Sequence, residues 1–92
     1  MEIRQLQDIM LRTYGDCDAE RGIPATIAWL TEEVGELAKA TRKGTKAEQL
    51  HEAGDVLAWL ASLANQLDID LAEAVSRFTE SCPHCHQVPC NC

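Results

Sequence analysis

Five carboxylates in the middle of the chain are spaced to hold a divalent cation: Glu32, Glu33 and Glu36 in one stretch, Glu52 and Asp55 in the next. Residues three apart share a face of an α-helix. Glu33 with Glu36, and Glu52 with Asp55, are therefore two pairs, each aimed in one direction. Gly44 lies midway between them, in the one turn-forming segment of the region. If the flanks fold back as antiparallel helices, Glu36 comes level with Glu52 and Glu33 with Asp55. Trp29 and Trp59 are also equidistant from Gly44, so both indoles should flank the acids at one level. Four converging carboxylates repel one another unless a cation stands between them. Oxygen-only donors suit Mg²⁺, or Mn²⁺, which keep water and accept substrate phosphates as further ligands. A di-iron bundle needs a Glu-x-x-His motif on each of two helices; only Glu48 and His51 have that spacing here, and His51 is expected to point away from the acids. A cation so held would neutralise phosphate charge and activate a water for in-line attack on a phosphoryl group. The alternative is a set of surface charges balancing Lys39, Arg42, Lys43 and Lys46; the mirrored register tilts against it.

The elements that must position these acids are helices. Ile3, Leu6, Ile9, Met10 and Thr13 recur at helical spacing, predicting a first helix over residues 2 to about 14. Gly15-Asp16-Cys17-Asp18 then reads as a break or a frayed continuation, with Cys17 structural or incidental. Gly22-Ile23-Pro24 opens a second helix, since proline is tolerated in a first turn. At about 100° per residue, Leu30, Val34, Leu37 and Thr41 form its core stripe, with Trp29, Glu33 and Glu36 on one flank and Glu32 and Lys39 further round. Arg42-Lys43-Gly44 suits its C-terminus. Thr45-Lys46-Ala47-Glu48 has the spacing of a capping box for a third helix, striped by Ala53, Val56, Leu57, Leu60, Ala64 and Leu67. Asp70 can cap a short fourth helix ending near Glu80.

The totals agree with one small all-α domain: an antiparallel helical hairpin plus two shorter helices, completed as a four-helix bundle by oligomerisation. The chain has 92 residues, 46% hydrophobic and 4% aromatic, with no alternating pattern. A net charge of -7 argues against a nucleic-acid polymer as the partner. No run reaches the about 18 to 20 apolar residues of a membrane span, and no signal core is visible, so the cytoplasm is the expected location. Residues 81–92 are a compositional break: Cys82, Cys85, Cys90 and Cys92 with His84 and His86 between them. They divide the chain into a helical domain over 1–80 and a Cys-rich tail. Clustered cysteines in a reducing compartment more often hold metal than disulfides. Four thiolates can surround one structural Zn²⁺ and leave no open catalytic position; a redox or metal-free tail is the alternative.

The run Trp29-Leu30-Thr31-Glu32-Glu33-Val34-Gly35-Glu36-Leu37, followed by Glu52-Ala53-Gly54-Asp55-Val56-Leu57, resembles the signature of the MazG-like nucleoside triphosphate pyrophosphohydrolases over roughly residues 2 to 78. The resemblance implies Mg²⁺-dependent hydrolysis of an NTP or dNTP to NMP and pyrophosphate, in nucleotide house-cleaning. By motif position Glu33, Glu36, Glu52 and Asp55 would hold Mg²⁺, and Glu32 would be an auxiliary ligand or orient the attacking water. It implies a homodimer or homotetramer, and helices one and four look too short to cover both faces of the hairpin. Longer relatives carry a basic, Asn-containing segment after the last helix; here only Arg77 occupies a similar place. Lys39, Arg42, Lys43 or a second subunit would then contact phosphates, the alternative being solvated helix-end charges. Trp29 or Trp59 would stack on a base or else pack in the core or a dimer interface, and Asn65 would read a nucleotide edge or else be an exposed polar residue. A non-catalytic helical interaction module, with its tail docking a partner, is the competing function.

Overall fold

The computed structural model describes every residue from Met1 to Cys92. Three long helices, α1 (Ile3–Arg21), α2 (Ile23–Lys43) and α3 (Lys46–Gln66), precede a single helical turn, α4 (Leu71–Ala74), and a 3-10 turn over Ser76–Phe78. The all-α expectation holds. α2 and α3 pack along each other as the hairpin, and α1 lies mainly on α3. No helix is long and apolar enough to cross a membrane.

Local chemistry explains the boundaries. Gly22 ends α1 and opens α2 at φ 85, where a side chain would be strained. At Gly44 an added Cβ would stand 2.8 Å from both the Cα and the carbonyl oxygen of Ala40, so only glycine fits this close approach. The capping box of α3 forms: the Glu48 amide donates to Thr45 Oγ1 at 3.2 Å and the Glu48 carboxylate accepts from the Thr45 amide at 3.3 Å. Asp70 caps α4 by accepting from the Ala72 amide at 2.9 Å.

Two expectations are corrected. α1 does not stop near residue 14 but runs through Gly15-Asp16-Cys17-Asp18 to Arg21. Asp18 is only 3% exposed, and its carbonyl accepts from Gln66 Nε2 at 2.8 Å. That anchorage on α3 outweighs the about 1 kcal/mol that a glycine costs a helix interior. Of the two helices expected to be short, then, only α4 is. It gives way at Val75 instead of reaching Glu80 because it buries no residue, and a short unanchored helix is marginal in water.

Polar groups rather than an apolar stripe fasten α1. The buried Gln7 side chain donates to the Ile69 carbonyl at 2.9 Å and to Asn65 Oδ1 at 3.2 Å, and accepts from the Leu71 amide at 2.7 Å. Asn65 Nδ2 returns a bond to the Gln7 carbonyl at 3.0 Å. Gln7→Ala orphans these groups and is expected to cost about 1–3 kcal/mol, read as an earlier urea midpoint. Elsewhere the single chain covers little: Ile27, Val34, Leu50, Leu57 and Leu60 on the hairpin stay exposed.

Candidate active site

The hairpin realises the mirrored register. Trp29 and Trp59 stack with ring centroids 5.9 Å apart and planes 13° from parallel. About one helical turn nearer Gly44, Glu33 on α2 faces Asp55 and Glu52 on α3. Beyond them Glu36 and Glu52 line one depression together with Lys39, Lys43 and Glu48. From the open end of the hairpin to its turn the order is therefore indoles, acids, lysines. Glu32 is exposed beside Glu33.

These acids are in tension. Loss of hydration raises the pKa of the half-buried Glu33 above its ordinary 4.5; repulsion and hydrogen bonding by Asp55, and the charges of Glu52 and Glu32, raise it further. The folded state then binds more protons than the unfolded chain just above pH 4.5. Stability from this group accordingly falls as pH rises through that window. In the metal-free protein Glu33 is expected to titrate above 4.5, and a bound dication is expected to move it below. Carboxyl NMR titrations with and without Mg²⁺ read both shifts. The four acids expected as ligands offer only carboxylate oxygens, which suit a hard dication.

His51 corrects the expectation that it points away. Its Nε2 lies 3.3 Å from Asp55 Oδ2, and His51, Glu52 and Asp55 present donor atoms within 4.8 Å of one another. Positions four apart share a helix face, so this neighbour was visible in the spacing.

Asn65 and Arg77 are not brought to the acids. Asn65 sits ten residues past Asp55 on α3, about 15 Å along the axis, with its amide engaged by Gln7. The Arg77 guanidinium lies 4.5 Å over the Phe78 ring and donates to the Ala74 carbonyl at 3.0 Å. Both line an open polar depression with Arg4 and Asp70. There the hydrogen bond from Arg4, ion-paired at 2.9 Å, holds the Asp70 carboxyl below its usual range.

A residue that no sequence pattern marks, Arg21, shares a pocket with one of the acids, Asp55. Its Nη1 donates to Asp18 Oδ1 at 2.8 Å and to Thr26 Oγ1 at 3.3 Å, and its guanidinium lies 4.8 Å from the Trp59 ring centre. With Tyr14, Asp18, Asp55, Trp59 and Ser62 it lines a pocket of about 260 Å³ between α1 and α3.

A family model of the MazG nucleotide pyrophosphohydrolase domain matches residues 21–87, which take in both hairpin helices and all five carboxylates. The chain belongs to this MazG family. A search of curated proteins finds no match. The MazG match leaves almost all of α1 outside and ends between Cys85 and Cys90 of the tail.

The tail carries a second donor cluster. Cys82, Cys85, Cys90 and Cys92 converge as free thiols that could hold a metal ion. The Asn91 and Gln87 amides draw the Cys85 thiol down to about 6. Hydrogen bonding with Cys90, Cys85 and Cys82 pushes Cys92 up to about 11.

Proposed function

We propose that this MazG domain hydrolyses a nucleoside triphosphate, ribo or deoxy, to the monophosphate and pyrophosphate, removing unwanted nucleotides. The observation that carries the reading is the order along the hairpin: stacked indoles, then four carboxylates in register, then Lys39 and Lys43. Glu33, Glu36, Glu52 and Asp55 would hold Mg²⁺, with Mn²⁺ as a substitute that the imidazole of His51 on the rim would favour. Mg²⁺ bound there would neutralise phosphate charge and make an attacking water more acidic. Glu32, outside those four, would orient the attacking water and accept its proton. The pocket by Trp59, Tyr14 and Arg21 is too small for a whole nucleotide but suits a base, with Trp29 extending the aromatic surface. Lys39 and Lys43 then face the departing pyrophosphate. Asn65 and Arg77 take no part. The tail thiols stand outside the reaction, a structural Zn²⁺ being the cofactor expected there.

The exposed apolar residues of α2 and α3 support a homodimer or homotetramer, in the cytoplasm, because a second copy of the hairpin would cover them. The test is a nucleotide panel with Mg²⁺, following pyrophosphate release, alongside sedimentation to read the oligomer. A folded, Mg²⁺-binding protein that releases no pyrophosphate from any nucleotide would instead be a helical interaction module.

A further inference from the structure

The four tail sulfurs are spaced as ligands of one tetrahedral ion. Cys82 Sγ and Cys92 Sγ are 3.7 Å apart, Cys85 Sγ and Cys90 Sγ 3.9 Å, and none of the four is more than 4.8 Å from another. A tetrahedron with zinc–sulfur bonds of about 2.3 Å places its corners about 3.8 Å apart. A disulfide would require about 2.05 Å. The close pairs are nested, Cys85 with Cys90 inside Cys82 with Cys92, so both halves of the tail contribute to each edge.

The backbone is arranged around these sulfurs. The His84 amide points at Cys82 Sγ at 3.4 Å, the Asn91 amide at Cys85 Sγ at 3.3 Å and the Cys92 amide at Cys90 Sγ at 3.4 Å. Such donors stabilise thiolate charge and orient metal ligands. A turn closes the first half: the His86 amide donates to the Cys82 carbonyl at 2.8 Å, and the Cys82 amide to the Gln87 carbonyl at 3.2 Å. His84 and His86 themselves are exposed and outside the donor group.

We infer that Cys82, Cys85, Cys90 and Cys92 form a closed, all-thiolate Zn²⁺ site that folds residues 82–92 as a unit separate from the catalytic hairpin. No residue of this segment is buried, and its hydrogen bonds run only within itself. So short a segment without a core holds a fixed shape through a metal or disulfides, and the sulfurs here are not joined as disulfides. Four thiolates leave no position for substrate, so the ion is structural. Soft sulfur selects zinc, whereas the carboxylates select Mg²⁺, and the two sites do not compete. The MazG match ends before Cys90, so half of the ligand set lies in this chain's own extension.

Full-length protein purified without chelator is expected to carry about one zinc per chain by elemental mass spectrometry. Cys85→Ser and Cys90→Ser should each bring it to background with helix content unchanged. His84→Ala and His86→Gly should retain it; glycine suits position 86 because His86 sits at φ 60. Cobalt(II) exchanged into the wild type should show the intense bands of a tetrahedral thiolate complex, absent from the Cys variants. Hydrogen exchange should find amides of 82–92 protected until zinc is chelated, with α2 and α3 unaffected. Iron in place of zinc, zinc that survives the Cys variants, or tail disulfides would overturn the site. Chelation that opens α2 and α3 as well would overturn its independence.

Discussion

Glu36→Gln is expected to lower pyrophosphate release by about two to three orders of magnitude. Glu36 is exposed on α2, so the near-isosteric change removes a charge without disturbing the packing. It shares a depression with Glu48, Glu52, Lys39 and Lys43, where one lost carboxylate would weaken the proposed hold on Mg²⁺. Raised Mg²⁺ should recover part of the activity, which separates a ligand from a residue that only shapes the groove. The comparison is steady-state kinetics of both proteins across a Mg²⁺ series, with circular dichroism as the folding control. Equal rates beside a clearly active wild type would remove Glu36 from the site.

The second large effect is on stability. Arg21→Met is expected to cost about 3 kcal/mol, because it leaves a buried carboxylate without its counter-charge. The Asp18 side chain is 4% exposed and Arg21 23%; the guanidinium binds Oδ1, and the buried Oδ2 has no hydrogen-bond partner. For a domain of this size the melting temperature should fall by about 15 °C. Adding Asp18→Asn should return most of the loss, since the penalty is the stranded charge rather than the missing bond. Melts of the two single variants and the double variant complete the cycle. A single Arg21→Met variant that melts with the wild type would mean that the Asp18–Arg21 pair does not hold the fold. The same guanidinium lies over Trp59 beside Asp55, so activity should fall as well, and at temperatures well below the melt.

Much of the hairpin was legible in the residues. Gly44, the Thr45–Glu48 box and the run from Trp29 to Leu37 act through neighbours three or four positions away, so spacing alone carried them. The equal distances of Trp29 and Trp59 from Gly44 anticipated their stacking, because helices of one pitch keep register across a tight turn. The convergence of four tail cysteines was likewise visible as spacing, though not the pairing of their sulfurs.

What was not legible depends on residues far apart in sequence. Gly15 looks like a helix break, yet α1 continues because Gln66, 48 positions from Asp18, binds its carbonyl. Asn65 reads in sequence as an exposed polar residue or a nucleotide contact; Gln7, 58 positions away, engages its amide instead. Arg77 occupies the place of a basic grip in sequence, while Arg21 from the end of α1 shares a pocket with Asp55. The sequence by itself determined the helical hairpin, the mirrored carboxylates and the thiol set, since each follows from helix period, turn chemistry and ligand type. Only the tertiary structure decided which polar side chains lock α1 in place and that Arg21 shares a pocket with Asp55. Those choices rest on burial and on hydrogen bonds between distant segments, and a local pattern does not encode them.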